Sequence, residues 1–183
     1  MESKYFEQSY KWEAEKGLSD NEADKGGITN DGITWKRYEQ VCKRVLGVKP
    51  TRERFEQLTK QEIKQFYDYS FKQIGFDKID NKVVAAVCFD FALNSAFGKR
   101  EIQKVLQGMG YILKADNIFG PVTLRILNRA VRIEGAYNVC WAILVARQRY
   151  VESLVVKDES QRVFLKGWTN RIEDWKQFVL ANT

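Results

Sequence analysis

The chain has 183 residues, 44% of them hydrophobic and 30% charged, with a net charge of +6. That length suits one domain, or one with an appended subdomain, and the composition can bury a core. It holds no histidine, which excludes Ser-His-Asp and Cys-His hydrolysis and histidine-ligated metal sites. Among common hydrolytic sites, a pair of carboxylates survives.

Two prolines and little strand-like alternation predict a mainly α protein. The positive charge suits an anionic partner: nucleic acid, a membrane surface or the bacterial cell wall. It is also spread along the whole chain, which reads equally as a plain solvated surface. Cys42, Cys88 and Cys140 lack CxxC spacing and lie in apolar helical stretches. They read as small core residues rather than a disulfide framework or zinc site. The apolar runs 83–93 and 139–146 are too short to span a bilayer. Met1-Glu-Ser-Lys leads straight into a charged amphipathic segment, with no signal peptide visible. The expectation is synthesis in the cytoplasm and no membrane insertion.

In chain order, the first helix runs from about Lys4 to Lys16, with Phe6, Tyr10 and Ala14 as its stripe and Gly17 as a left-handed stop. Residues 17–33 are rich in Gly, Asp and Asn and suit a loop or small hairpin. Thr34 caps a helix from Trp35 to about Leu46, closed by Gly47. Pro50 and Thr51 open a short helix. Thr59-Lys-Gln-Glu62 is a capping box for another, ending near Gly75. Asp80 begins a helix over 81–97 that is apolar nearly all round, hence central. A short helix at 100–106 follows. Gly120-Pro121 starts a helix with proline in its first turn. A long helix covers about 137–155. The last two, 160–166 and 169–180, are divided by Gly167. A boundary, if one exists, falls near 95–99, giving halves 1–95 and 96–183 packed as one compact unit.

The chemistry concentrates between Glu15 and Thr34. Glu15 ends the first helix, where the negative pole of the dipole disfavours an ionised carboxylate. Aromatic neighbours that desolvate it add to that effect. A glutamate kept protonated is what a general acid needs to protonate a glycosidic oxygen. Asp24 precedes Gly26 and Gly27, whose backbone N–H groups keep a carboxylate ionised. Thr29 offers a hydroxyl to a water or sugar. One protonated and one ionised carboxyl form the working pair of a glycosidase. The plainer alternative is a surface glutamate and a turn aspartate. Asp90 and Asn94 lie one turn apart on a shared helix face. They are either a satisfied polar pair in the core or residues lining a sugar cleft beneath the Glu15 loop. Tyr111 and Trp168 are core aromatics or sugar-stacking ones. Arg147 and Arg149 are expected to make salt bridges or helix-end contacts rather than bind ligand.

Glu15-x8-Asp24 followed by Thr29 is similar to the Glu…Asp…Thr arrangement of phage-type lysozymes. The fuller string, Glu15-x-Gly17 and then Asp24-x-Gly-Gly-x-Thr29-x-x-Gly-Ile-Thr34, resembles the start of glycoside hydrolase family 108. Its members are described as N-acetylmuramidases, some labelled secretion activators. Phe89-Asp90-x3-Asn94 resembles the family's central helix. Leu106-Gln107 and Asp116-x3-Gly120-Pro121-x-Thr123 resemble its peptidoglycan-binding segment. Arg147-x2-Tyr150 and Phe164-Leu-Lys-Gly167-Trp168-x2-Arg171 resemble its closing helices. The chain departs from these patterns in four ways: Thr29 stands one residue closer than in the phage arrangement, Lys16 replaces a glycine beside the acid, Asn117 replaces the glycine after Asp116, and Ser95-Ala96 replaces a glycine after Asn94.

The resemblance implies a lysozyme-like helical fold and cleavage of the β-1,4 bond between N-acetylmuramic acid and N-acetylglucosamine. Glu15 is then the general acid, with Asp24 and Thr29 as helpers. Gly26, Gly27, Asp90 and Asn94 then face substrate. No metal or organic cofactor is implied. The partner is the peptidoglycan glycan strand, reached with the help of a holin or a secretion system, so that the protein acts at the wall. A protein of the same fold that only binds walls or assists secretion is the second reading. A nucleic-acid-binding helical protein is the third, and would need its basic residues on one face.

Overall fold

The structure, a computed structural model, describes residues 1–14, 17–19 and 27–183. The chain is mainly α, with a small sheet among the described residues after the first helix. Packing divides it into Met1–Gln73 and Ile74–Thr183.

In the first unit, α1 spans Ser3–Ala14. Three two-residue strands follow: β1 Leu18–Ser19, β2 Thr29–Asn30 and β3 Ile33–Thr34. All pair antiparallel in the order β1-β2-β3. Helix α2 runs from Trp35 to Leu46. The Thr34 side chain accepts from the Arg37 N–H at its start, and Gly47 closes it at φ +71°. Thr51 caps α3, Arg52–Glu56. Helix α4, Lys60–Ile74, opens on the expected capping box. The Thr59 N–H donates to the Glu62 carboxylate, and the Glu62 N–H donates to the Thr59 hydroxyl. The core is aromatic: Tyr38 sits 5.2 Å from Phe55, and Phe6 sits 5.3 Å from Tyr67, edge to face. Such pairs add about 0.5–1.5 kcal/mol beyond area burial.

The second unit is built round α5, Lys82–Leu93, buried from Val83 to Phe91. Asn81 caps it rather than Asp80. It ends four residues earlier than the apolar pattern suggests, because the Asn94 side chain donates back to the Asp90 carbonyl at 3.0 Å. Asparagine competes in this way with helical hydrogen bonding. Around α5 lie α6 (Gly98–Gly108), α7 (Pro121–Glu134), α8 (Ala136–Lys157) and α9 (Arg162–Asn182). Pro121 stands in the first turn of α7, as expected. All three cysteines are free and buried.

The two closing helices of the sequence reading are one. A 3-10 turn at Glu159–Gln161 leads into α9, which passes straight through Gly167. Glycine costs a helix about 1 kcal/mol relative to alanine. Here the packing of α9 along α8 outweighs that cost. A Cβ at Gly167 would meet nothing within 4 Å. Gly167→Ala should therefore raise stability by about 0.5–1 kcal/mol, seen as a higher urea midpoint with an unchanged slope.

Candidate functional site

Glu15, Lys16, Asp24 and Gly26 lie outside the described residues. The framework on either side of them is described. The turn between β2 and β3 is Asp31-Gly32, with φ +44° and +81°. Two left-handed residues between paired strands are the requirement of a type I′ hairpin, which Asp-Gly meets. Asp31 fastens this hairpin twice. Its N–H donates to the Gly17 carbonyl at 3.3 Å, and its Oδ2 accepts from the Tyr10 hydroxyl at 2.9 Å. Burial, then the hydrogen bond to Asp31 and its charge, push the Tyr10 phenol up to about 12. It therefore stays protonated and donates at all ordinary pH. Asn30 ties the hairpin to α3 by donating to the Phe55 carbonyl at 2.6 Å. Thr29 is half-buried on β2, across from Thr34. Gly27 is exposed at φ +70°.

A second carboxylate, Glu13, lies close to Glu15 in sequence and carries no motif signal of its own. It is 4% exposed. The buried face of α1 holds Tyr5, Ser9 and Glu13, spaced by four, beside the Phe6–Tyr10 stripe. A search for apolar periodicity passes over a polar stripe. Gly32 rests against it: a Cβ there would come within 3.0 Å of both Glu13 Cγ and the Tyr67 hydroxyl. Gly32→Ala combines that crowding with a positive φ, which costs an L-residue about 1–2 kcal/mol. A loss near the upper end, read from urea unfolding, is the expected result.

In the second unit, Asp90 has no exposed surface. Arg171 grips it at both oxygens, 2.6 Å and 3.1 Å, and Arg147 reaches Oδ2 at 2.6 Å. Burial alone would raise its pKa. The two guanidiniums outweigh that and hold it at about 2. Asn94, one turn on, is exposed. Gln103 is a buried hub for the 116–118 turn. Its amide donates to Asp116 Oδ1 at 3.0 Å, the Ile118 carbonyl at 2.9 Å and Thr123 at 3.1 Å. Its oxygen accepts from the Asn117 N–H at 2.9 Å. Asn117 takes φ +66°, so asparagine preserves the turn in place of glycine. Among the described residues, no cluster of His, Cys, Asp and Glu could hold a metal ion. No described helix is long and apolar enough to cross a membrane.

Residues 8–96 match the family model "Glycosyl hydrolase 108", and residues 98–173 match "Predicted Peptidoglycan domain". The first half of the chain belongs to the glycosyl hydrolase 108 family. With the second match behind it, the protein is a peptidoglycan-related hydrolase. The family segment contains Glu15, Asp24, Thr29 and the whole of α5. The peptidoglycan segment contains the Gln103 hub and both arginines that hold Asp90. The structure is also similar to the "Structure of Brucella abortus SagA", with a TM-score of 0.69 and 24% identity over 98% of this chain and 93% of that one. That likeness concerns the fold. No curated protein matches the chain.

Proposed function

We propose that this family 108 protein is a lysozyme-type N-acetylmuramidase. Glu15 donates a proton to the glycosidic oxygen of the β-1,4 bond. Asp24 stays ionised and either positions the attacking water or steadies the oxocarbenium-like transition state. Thr29 supports Asp24 or its water. Gly26 and Gly27 offer backbone N–H groups to substrate, and Asn94 offers an exposed amide. Asp90, with both oxygens engaged, acts indirectly by fixing the helix that carries Asn94. The observation that carries this reading is the family 108 match over 8–96. The Asp31 clamp supports it, since a rigid hairpin beside Gly17 suits a site that needs fixed geometry.

The test is release of reducing ends from purified peptidoglycan. A muramidase leaves N-acetylmuramic acid at the new reducing terminus. Wall binding without new reducing ends would mean a binding or secretion-assisting protein of the same fold. New N-acetylglucosamine termini would mean the other glycosidic bond is cut.

A further inference from the structure

A separate feature lies wholly within Ile74–Thr183. Helices α6 and α8 pack side by side and enclose a groove of about 610 Å³. Val105 of α6, Met109 just past its end, and Ala142, Val145 and Ala146 of α8 give it an apolar lining. Arg100, Lys104, Arg149 and Lys157 add four cations. One carboxylate also lines it, Glu101, already held by Lys104 at 2.9 Å and Arg100 at 3.5 Å. Lys104, Arg149 and Lys157 are exposed. A concave surface with one dominant sign of charge focuses its field on an incoming anion.

We propose that this groove binds the acidic stem peptide of peptidoglycan, a short peptide with free carboxylates and small alkyl side chains. The proposal rests on the peptidoglycan reading above and names the part of the polymer that the second domain grips. Glu101 offsets one of the four positive charges, and an uncharged stretch of glycan gives the remaining excess nothing to neutralise. A stem peptide presents several carboxylates to them and alanyl methyls to the Ala142–Ala146 wall. The dimensions agree. Arg100 to Gly108 on α6 spans about 12 Å at 1.5 Å per residue. An extended tetrapeptide spans about 13 Å. On α8, positions 142, 145, 146, 149, 153 and 157 fall on one helical face, so the charged and apolar contacts run along the same line.

The test uses the full chain and a synthetic tetrapeptide with alanyl methyls and three free carboxylates. Titration should perturb backbone amide NMR signals confined to α6 and α8. Arg149→Glu with Lys157→Glu should weaken binding at least tenfold. Gly108→Phe provides a variant that reverses no charge. A Cβ there meets nothing within 4 Å, so the ring can enter the groove without disturbing the backbone, and it too should weaken binding. Affinity within twofold of wild type in the charge-reversal variant overturns the proposal. So does perturbation of these helices by a polyol-phosphate wall polymer but not by the peptide. The two readings fail separately. Peptide binding without release of reducing ends sinks only the muramidase. Release of reducing ends without peptide binding sinks only this groove.

Discussion

Glu15→Gln is expected to lower the release of reducing ends from purified peptidoglycan by about 10²–10⁴-fold, the usual contribution of a positioned general acid. Glutamine keeps the size and polarity of glutamate but has no acidic proton to give to the leaving oxygen. The circular dichroism spectrum should be unchanged, because the replacement is nearly isosteric. Lys16→Gly, which restores the usual family pattern, is the companion measurement. Removing a positive charge beside the acid favours its protonated form. The alkaline limb of the pH–rate profile should therefore move upward. Activity of Glu15→Gln within tenfold of wild type would remove Glu15 from its assigned role. A Glu15→Gln loss with no pH movement in Lys16→Gly would instead mean that the ammonium points away from the acid.

What could be read from sequence follows how local each determinant is. Thr34 and Gly47 bracket α2 as expected, and Thr59 and Glu62 start α4 as expected. These caps depend on residues three or four positions apart. Gly167 misled for the same reason: its local cost is real, but α8 packs against α9 and overrides it. The surroundings of Asp90 were beyond a local reading. Its partners lie 57 and 81 residues away. Arg147 and Arg171 stood in motif strings of their own, and only folding joins them to Asp90. Glu13 stayed hidden because burial of a carboxylate breaks the pattern used to find buried faces. The hairpin was half legible. Asp31-Gly32 is a local turn signal, whereas its fastening to Tyr10 depends on how α1 returns to meet it.

Asp90→Asn should destabilise the protein by about 3–5 kcal/mol, because removing one partner of a buried ion pair takes away the charge that offsets the desolvation of the others. Here two guanidiniums would remain, 5% and 6% exposed at their side chains, around a neutral amide. The melting temperature should fall by about 10 °C. The same pairing gives the wild type an acid limit. The folded pKa, about 2, lies below the ordinary 3.8, so the native state favours the ionised form. That stability is fully present above pH 4 and is lost as pH falls toward 2, amounting to about 2 kcal/mol. In urea titrations between pH 5 and 2, wild type should lose this increment and Asp90→Asn should not. Replacing all three residues together separates pairing from packing. Asp90→Leu with Arg147→Met and Arg171→Met buries no charge, and such replacements are often neutral or stabilising. If the triple variant is as stable as wild type, the carboxylate is needed only because the arginines are there. In that case the triad's value to the enzyme lies in fixing where α5 ends and Asn94 begins. Hydrolysis by the stable triple variant should then still fall, although its melting temperature does not.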